Sequence, residues 1–187
     1  MEFIDVVQKR RSVRSYMDTP VPENLIMQIL ECGHMAPTGG NLQPWEFIVL
    51  RDEADRRAVA DTTFQRNTFD ITKNQDWIAT APAIILVLGD RVKAAVRYGQ
   101  QFSDTLVYLD CSACIENMLL AAVNAGLGAC YISGFFEALL AKAFDVPPSH
   151  QVVGFITLGY EKGTTASRPK EPLDTKIYYG RYGRRLP

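Results

Sequence analysis

Between residues 110 and 125 the chain is apolar on nearly every helical face, and this stretch limits the possible folds more than any other. Cys111, Cys114, Ile115, Met118, Leu119, Leu120, Ala122 and Val123 fall around the whole of a 3.6-residue turn, with neither glycine nor proline between them. A helix without a continuous polar stripe has to be enclosed by other elements, so this one is expected to be central and buried. Ser112, Ala113, Ala121, Ala122 and Ala125 leave room for close approach, and Gly126-Leu127-Gly128 supplies the stop.

The remaining elements are read around that helix. An amphipathic helix is predicted over residues 2–9, with Phe3, Ile4, Val6 and Val7 on one side. A second opens at Pro22 and carries Leu25, Ile26, Ile29 and Leu30 at helical spacing, so that the two form a helical hairpin. Strands are predicted over residues 46–50, 83–89, 129–133 and 152–160, the second of them buried on both faces. A charged surface helix is predicted over 52–65, a helical pattern from about 90 to 127, and a short helix over 135–144 closed by Pro147 and Pro148. Residues 66–80 are polar and weakly patterned, as a mobile helix or lid would be. After Gly163 the tail is basic and aromatic, with Tyr178, Tyr179 and Tyr182, and reads as an arm that needs another surface to pack on. Four strands with interspersed helices make an α+β domain, a small sheet flanked by helices, and residues 1–187 suit a single domain.

Composition excludes several functional classes. The net charge of -1 gives no reason to expect a nucleic-acid or membrane-surface partner. No uninterrupted run approaches the roughly 18 apolar residues of a membrane span, and the N-terminus has no secretory pattern, so a soluble, cytoplasmic protein is expected. Cys32, Cys111, Cys114 and Cys130 lie mostly in apolar segments and read as reduced, small hydrophobes. With two histidines and no second Cys pair, a metal site is not expected.

Three segments could bind a ligand. Arg10, Arg11, Ser12 and Arg14 bring three guanidinium groups and a hydroxyl together with no acid nearer along the chain than Asp18. Guanidinium suits phosphate, although a solvated turn at a helix end fits the cluster equally well. Pro37, Thr38, Gly39, Asn41 and Gln43 form a turn rich in glycine and amide side chains, which reads either as a binding loop or as an ordinary helix-to-strand connection. Ser133-Gly134 ends a strand, where backbone amides can face a ligand or merely turn the chain. Elsewhere no GxSxG elbow is present, no GxGxxG follows the first strand, and His34 and His150 have no obvious carboxylate partner. Asp104, Asp110 and Glu116 lie along one helical stretch without a legible acid–base pairing. No side chain is assigned a catalytic role, and any chemistry belongs to a cofactor.

Taken in order and spacing, Arg10 to Tyr16, the loop from Ala36 to Trp45, the run Glu116 to Ala122 with Gly126-Leu127-Gly128, the junction Ile132 to Phe135, and the final strand closely resemble the nitroreductase-like flavoproteins over nearly the whole chain. The resemblance implies a central, mainly antiparallel sheet and a homodimer with FMN at the subunit interface. It also implies a C-terminal arm wrapped onto the partner subunit. It places Arg10, within the Arg10-Arg11 pair, at the phosphate, and Ser12 and Arg14 near the ribityl chain and the pyrimidine edge. Pro37, Thr38, Gly39 and Asn41, with Gln43 close behind, correspond to a loop offered by the opposite subunit. Ser133 and Gly134 correspond to the strand end facing the flavin ring, and Arg168, with Lys170 as a possible second, to the late basic residues on the phosphate. The implied activity is ping-pong hydride transfer from NADH or NADPH to a nitroaromatic, quinone or similar small-molecule acceptor. Alternatives are reductive dehalogenation on the same fold, flavin storage without turnover, and a nucleotide-binding regulatory module. Phe64, Phe69, Tyr98 and Phe102 are candidates for the substrate channel or for core.

Overall fold

The computed structural model describes residues 1–65, 69–70 and 72–185. In chain order they form α1 (Phe3–Lys9), α2 (Glu23–His34), β1 (Trp45–Leu50), α3 (Glu53–Asp61), β2 (Ala83–Asp90), α4 (Arg91–Tyr98), α5 (Gln100–Asn124), β3 (Gly128–Ile132), α6 (Glu137–Ala143) and β4 (His150–Gly159). The strands make one antiparallel sheet in the order β1-β2-β4-β3.

Because side chains alternate across a strand, each buried strand serves two layers. Ala83, Ile85 and Val87 of β2 face α2, α4 and α5, whereas Ile84, Leu86 and Leu88 face α3, α6 and the 3-10 turn Asp76–Thr80. On β4 the alternation changes parity: Val153 lies in the first layer with Ile156 and Leu158, and Val152 in the second with Phe155. A register shift opposite Val87 and Leu88 accounts for this, since the extra residue of a bulge sends all later side chains to the other face.

Helix α5 packs against α1, α2, α4 and all four strands, the central place its composition predicts. Val107, Cys111, Cys114, Ile115, Met118 and Ala122 are buried, yet Phe102, Tyr108 and Leu109 remain exposed on its N-terminal half. By length and composition alone α5 is apolar enough to cross a bilayer, which a search for uninterrupted apolar runs does not register. The helical pattern expected over 90–127 is realised as two helices broken at Gly99, whose φ of 84° lies in the region that glycine adopts without strain. In place of the expected helical hairpin, α1 and α2 each pack chiefly on α5 rather than on one another. Helix α3 stops at Asp61, and its last-turn neighbours Thr62 and Thr63 are buried, donating their hydroxyls back to Val59 and Ala60.

Within the polar segment predicted as a lid, residues 66–68 and 71 lie outside the described residues. Its second half is anchored: Ile78 is fully buried in the α3–α6 layer, and Arg56 donates to the carbonyls of Ala79 and Ala81. The C-terminal tail carries a short 3-10 turn, Leu173–Lys176, with Leu173 and Tyr182 strongly exposed. Residues 186–187 of the predicted arm lie outside the described residues.

Candidate functional site

The basic segment after α1 is held against the sheet by backbone and by one tyrosine. Ser12 bridges Ala129 of β3, Val13 N donates to the Ala129 carbonyl at 3.0 Å, and Met17 N donates to the Tyr160 carbonyl at 2.8 Å. This close approach requires Gly128, where a Cβ would sit 2.8 Å from the Val13 side chain. Tyr16 donates its hydroxyl to the Val13 carbonyl at 2.7 Å and accepts the Thr157 hydroxyl at 2.7 Å. Beyond β4 the chain folds back over the same segment: Lys162 N donates to the Ser15 carbonyl, and Thr165 N to the Glu161 carboxylate at 2.5 Å.

These two anchorages build one cavity of about 420 Å³, lined by Arg10, Arg11, Ser12 and Arg14 from one end of the chain and by Arg168 and Lys170 from the other. Among the described residues no acid lines it. The nearest compensation is Glu116, whose carboxylate lies 4.0 Å from the Arg10 guanidinium, an acid that linear distance did not reveal. Arg11 also serves α1, donating to the carbonyls of Gln8 and Arg10 at 2.6 and 2.9 Å, as a cation at a helix C-terminus should. Burial pushes the Cys130 thiol beneath this cavity up, partly offset by Arg14, Ser12 and Arg10.

Ser133 and Gly134, at the end of β3, do not line this cavity. A Cβ at Gly134 would lie 3.7 Å from the Phe64 ring and 4.0 Å from Gln75 Nε2. Trp77, two residues beyond Gln75, has the Arg14 guanidinium 5.8 Å from its ring centroid. Gln75, Trp77 and Phe64 therefore connect two segments far apart in the sequence. Gln75 and Trp77 fall in the weakly patterned 66–80 segment, and the only available signal was a tryptophan within a polar stretch. Phe64 also packs edge-on against Phe136 and near Phe69.

The loop at 37–43 lies elsewhere, against α4 and α5, and none of Pro37, Thr38, Gly39, Asn41 or Gln43 lines the basic cavity of the same chain. Asp110 of α5 accepts from Gly39 N at 3.3 Å, and burial raises its pKa while that bond lowers it. Thr38 Oγ1 accepts from Gln43 N at 3.1 Å, and Gln43 Nε2 donates to the Asn41 carbonyl. Gly40 has a φ of 58°, which glycine adopts freely, but Asn41 and Gln43, with φ of 57° and 49°, occupy the left-handed region as non-glycine residues, an uncommon backbone of the kind found at functional loops. Of the histidines, His34 accepts from the Trp45 indole at 3.0 Å, and His150 has a carboxylate partner after all, Glu46 Oε2 at 3.3 Å. All four cysteines are free, and burial pushes the Cys111 and Cys114 thiols up to about 12.

The antiparallel four-stranded sheet packed on a central helix is a fold shared with known structures. A Parabacteroides distasonis protein, whose name pairs NADH dehydrogenase with NAD(P)H nitroreductase, superposes with a TM-score of 0.82 at 25% identity, covering 97% of this chain and 99% of that one. An FMN-dependent nitroreductase from Clostridium difficile R20291 superposes at 0.77 with 23% identity over 96% and 99% of the two chains. In sequence, an Archaeoglobus fulgidus protein, also named for NADH dehydrogenase and NAD(P)H nitroreductase, is 30% identical over 166 residues, 86% of each chain. The nitroreductase family model matches residues 7–160. The chain belongs to the nitroreductase family and is, by that membership, an oxidoreductase.

Proposed function

We propose that the chain is an FMN-dependent oxidoreductase that uses NADH or NADPH to reduce a nitroaromatic, quinone or related acceptor by ping-pong transfer, as a cytoplasmic homodimer. The observation that carries this reading is the cavity in which Arg10, Arg11, Arg14, Arg168 and Lys170 converge without an acid among the described lining residues. Five cations grouped in this way, half-buried or exposed, repel one another, and a bound anion relieves that repulsion. The volume falls in the range of ligand pockets, and the donor set suits a phosphate dianion, so FMN fits.

When bound, the flavin supplies two-electron transfer between a nicotinamide and an acceptor that occupy the same ring face in turn. The protein's part is binding, orientation and electrostatics. Arg10 and Arg11, with Arg168 and Lys170, hold the phosphate. Ser12 and Arg14 serve the adjoining part of the cofactor, and Ser133-Gly134 offers backbone amides at the strand end. The loop Pro37, Thr38, Gly39, Asn41 and Gln43, remote from the cavity of its own chain, serves the site of the second subunit. Exposed apolar residues support the dimer: Phe3, Ile4, Met35, Phe102 and Leu109 lie on α1, after α2 and on α5.

Anaerobic titration with NADH or NADPH after FMN loading tests the reading. Bound flavin absorbance is expected to bleach and to return when a nitroaromatic or quinone is added. Protein that retains no FMN contradicts it, and bleaching that no acceptor reverses favours flavin storage.

A further inference from the structure

We infer that Trp77 and Gln75 are positioning residues that hold Arg14 and the strand end at Gly134 in one arrangement toward the flavin, an inference that rests on the FMN reading above. Arg14 is exposed, and its hydrogen bond is a long one, 3.3 Å to the Ser12 carbonyl, so little in its own segment directs the guanidinium. The indole of Trp77, its centroid 5.8 Å from the guanidinium carbon, supplies that direction, because a cation is drawn to an aromatic face.

The indole is itself fixed. Trp77 Nε1 donates to Gln75 Oε1 at 3.3 Å, and Gln75 Nε2 donates to the Phe64 carbonyl at 3.2 Å. Both ends of the Gln75 amide are therefore used, which defines its orientation. Its backbone N donates to Thr63 Oγ1 at 2.9 Å, and the fully buried Thr63 hydroxyl donates to the Ala60 carbonyl at 2.6 Å. The network thus begins at the buried end of α3 and finishes under an exposed cation. Gln75 Nε2 also lies 4.0 Å from where a Cβ of Gly134 would be, so the same amide borders the strand end. Trp77 packs against two separate apolar clusters, one including Ile78 and Phe155 and the other Val13 and Tyr16, which holds the indole between the sheet and the basic segment.

The test uses the full-length chain as wild type, Trp77→Phe, Trp77→Leu and Gln75→Leu. Two readouts are followed: FMN affinity and the midpoint potential of bound flavin. Trp77→Leu should weaken FMN binding about fivefold, as loss of one cation–aromatic contact implies. It should also make the potential more negative, because an undirected Arg14 stabilises the electron-rich flavin less. Trp77→Phe keeps an aromatic face and should restore affinity to within about twofold. A Trp77→Leu protein with wild-type affinity and potential overturns the inference. If that variant does not fold, an unchanged potential in Gln75→Leu overturns it. A wild type that binds no FMN overturns the reading beneath, which is a different failure.

Discussion

Tyr16 fastens the basic segment to the sheet, and its hydroxyl gives that attachment a pH dependence. Burial pushes its phenol well above the ordinary 10.0, with the Thr157 hydrogen bond offsetting part of the effect. The folded chain therefore keeps a proton that the unfolded chain loses above pH 10, so the stability linked to Tyr16 is full below that pH and falls as pH rises. The slope for one such proton is about 1.4 kcal/mol per pH unit. Cys111 and Cys114, raised by burial from 9.0 to about 12, add a similar loss that begins one unit lower. Denaturant unfolding at several pH values should show wild-type stability declining from pH 9 and steepening above 10. In Tyr16→Phe the steepening should lessen while the earlier decline remains, and the part left belongs to Tyr131 and Tyr108, whose phenols burial also raises. Parallel curves for the two proteins above pH 10 would show that Tyr16 is not buried in solution as it is here.

At the scale of elements, the cavity exists because two stretches without regular structure lie on the sheet edge. Residues 10–16 run beside β3, and residues 162–170 fold back across them. The arm beyond contributes nothing to the cavity lining and satisfies itself: Tyr179 N donates to the Arg184 carbonyl, and Arg185 donates to the Thr175 carbonyl and the Tyr178 hydroxyl. Its Leu173, Tyr179 and Tyr182 side chains remain exposed, although the Tyr182 ring packs on Tyr178 with centroids 4.6 Å apart, and they present an apolar and aromatic surface to solvent. Truncation before Leu173 leaves Arg168 and Lys170 in place, so any effect reports on the arm rather than on the cations. Light scattering after gel filtration is expected to show the truncated protein shifted toward monomer, with weakened FMN retention. An intact, flavin-loaded dimer would remove the arm from the interface.

For the whole molecule, what the sequence made legible depended on what composition and periodicity encode. The run around Cys111, Ile115 and Met118 identified the central helix because an all-apolar surface admits few other placements. Periodicity does not name a partner, so α1 and α2 could be found but their common packing on α5 could not. Gly99 stands between two helical patterns and looks like a tolerated interruption until its backbone angle is known. The parity change along β4 depends on one bulged residue and leaves no mark in composition. At the site, charge made residues 10–14 and 168–170 conspicuous, and resemblance to a family gave the reason to join them. Trp77 and Gln75 were not legible because their segment has no periodicity, and Asp110 was hidden because its partner is the backbone of Gly39.

The central claim is that the two ends of the chain build one phosphate site, and FMN and riboflavin, which differ only in the phosphate, test it directly. Each charge-assisted hydrogen bond contributes roughly 1.5–3 kcal/mol, so two of them separate the ligands by about 100-fold or more. Equilibrium titration of the full-length protein should therefore show FMN bound at least about 100-fold more tightly than riboflavin, with the gap shrinking when Arg168 and Lys170 are both changed to Ala. Equal affinity for the two ligands in the wild-type protein would contradict the account.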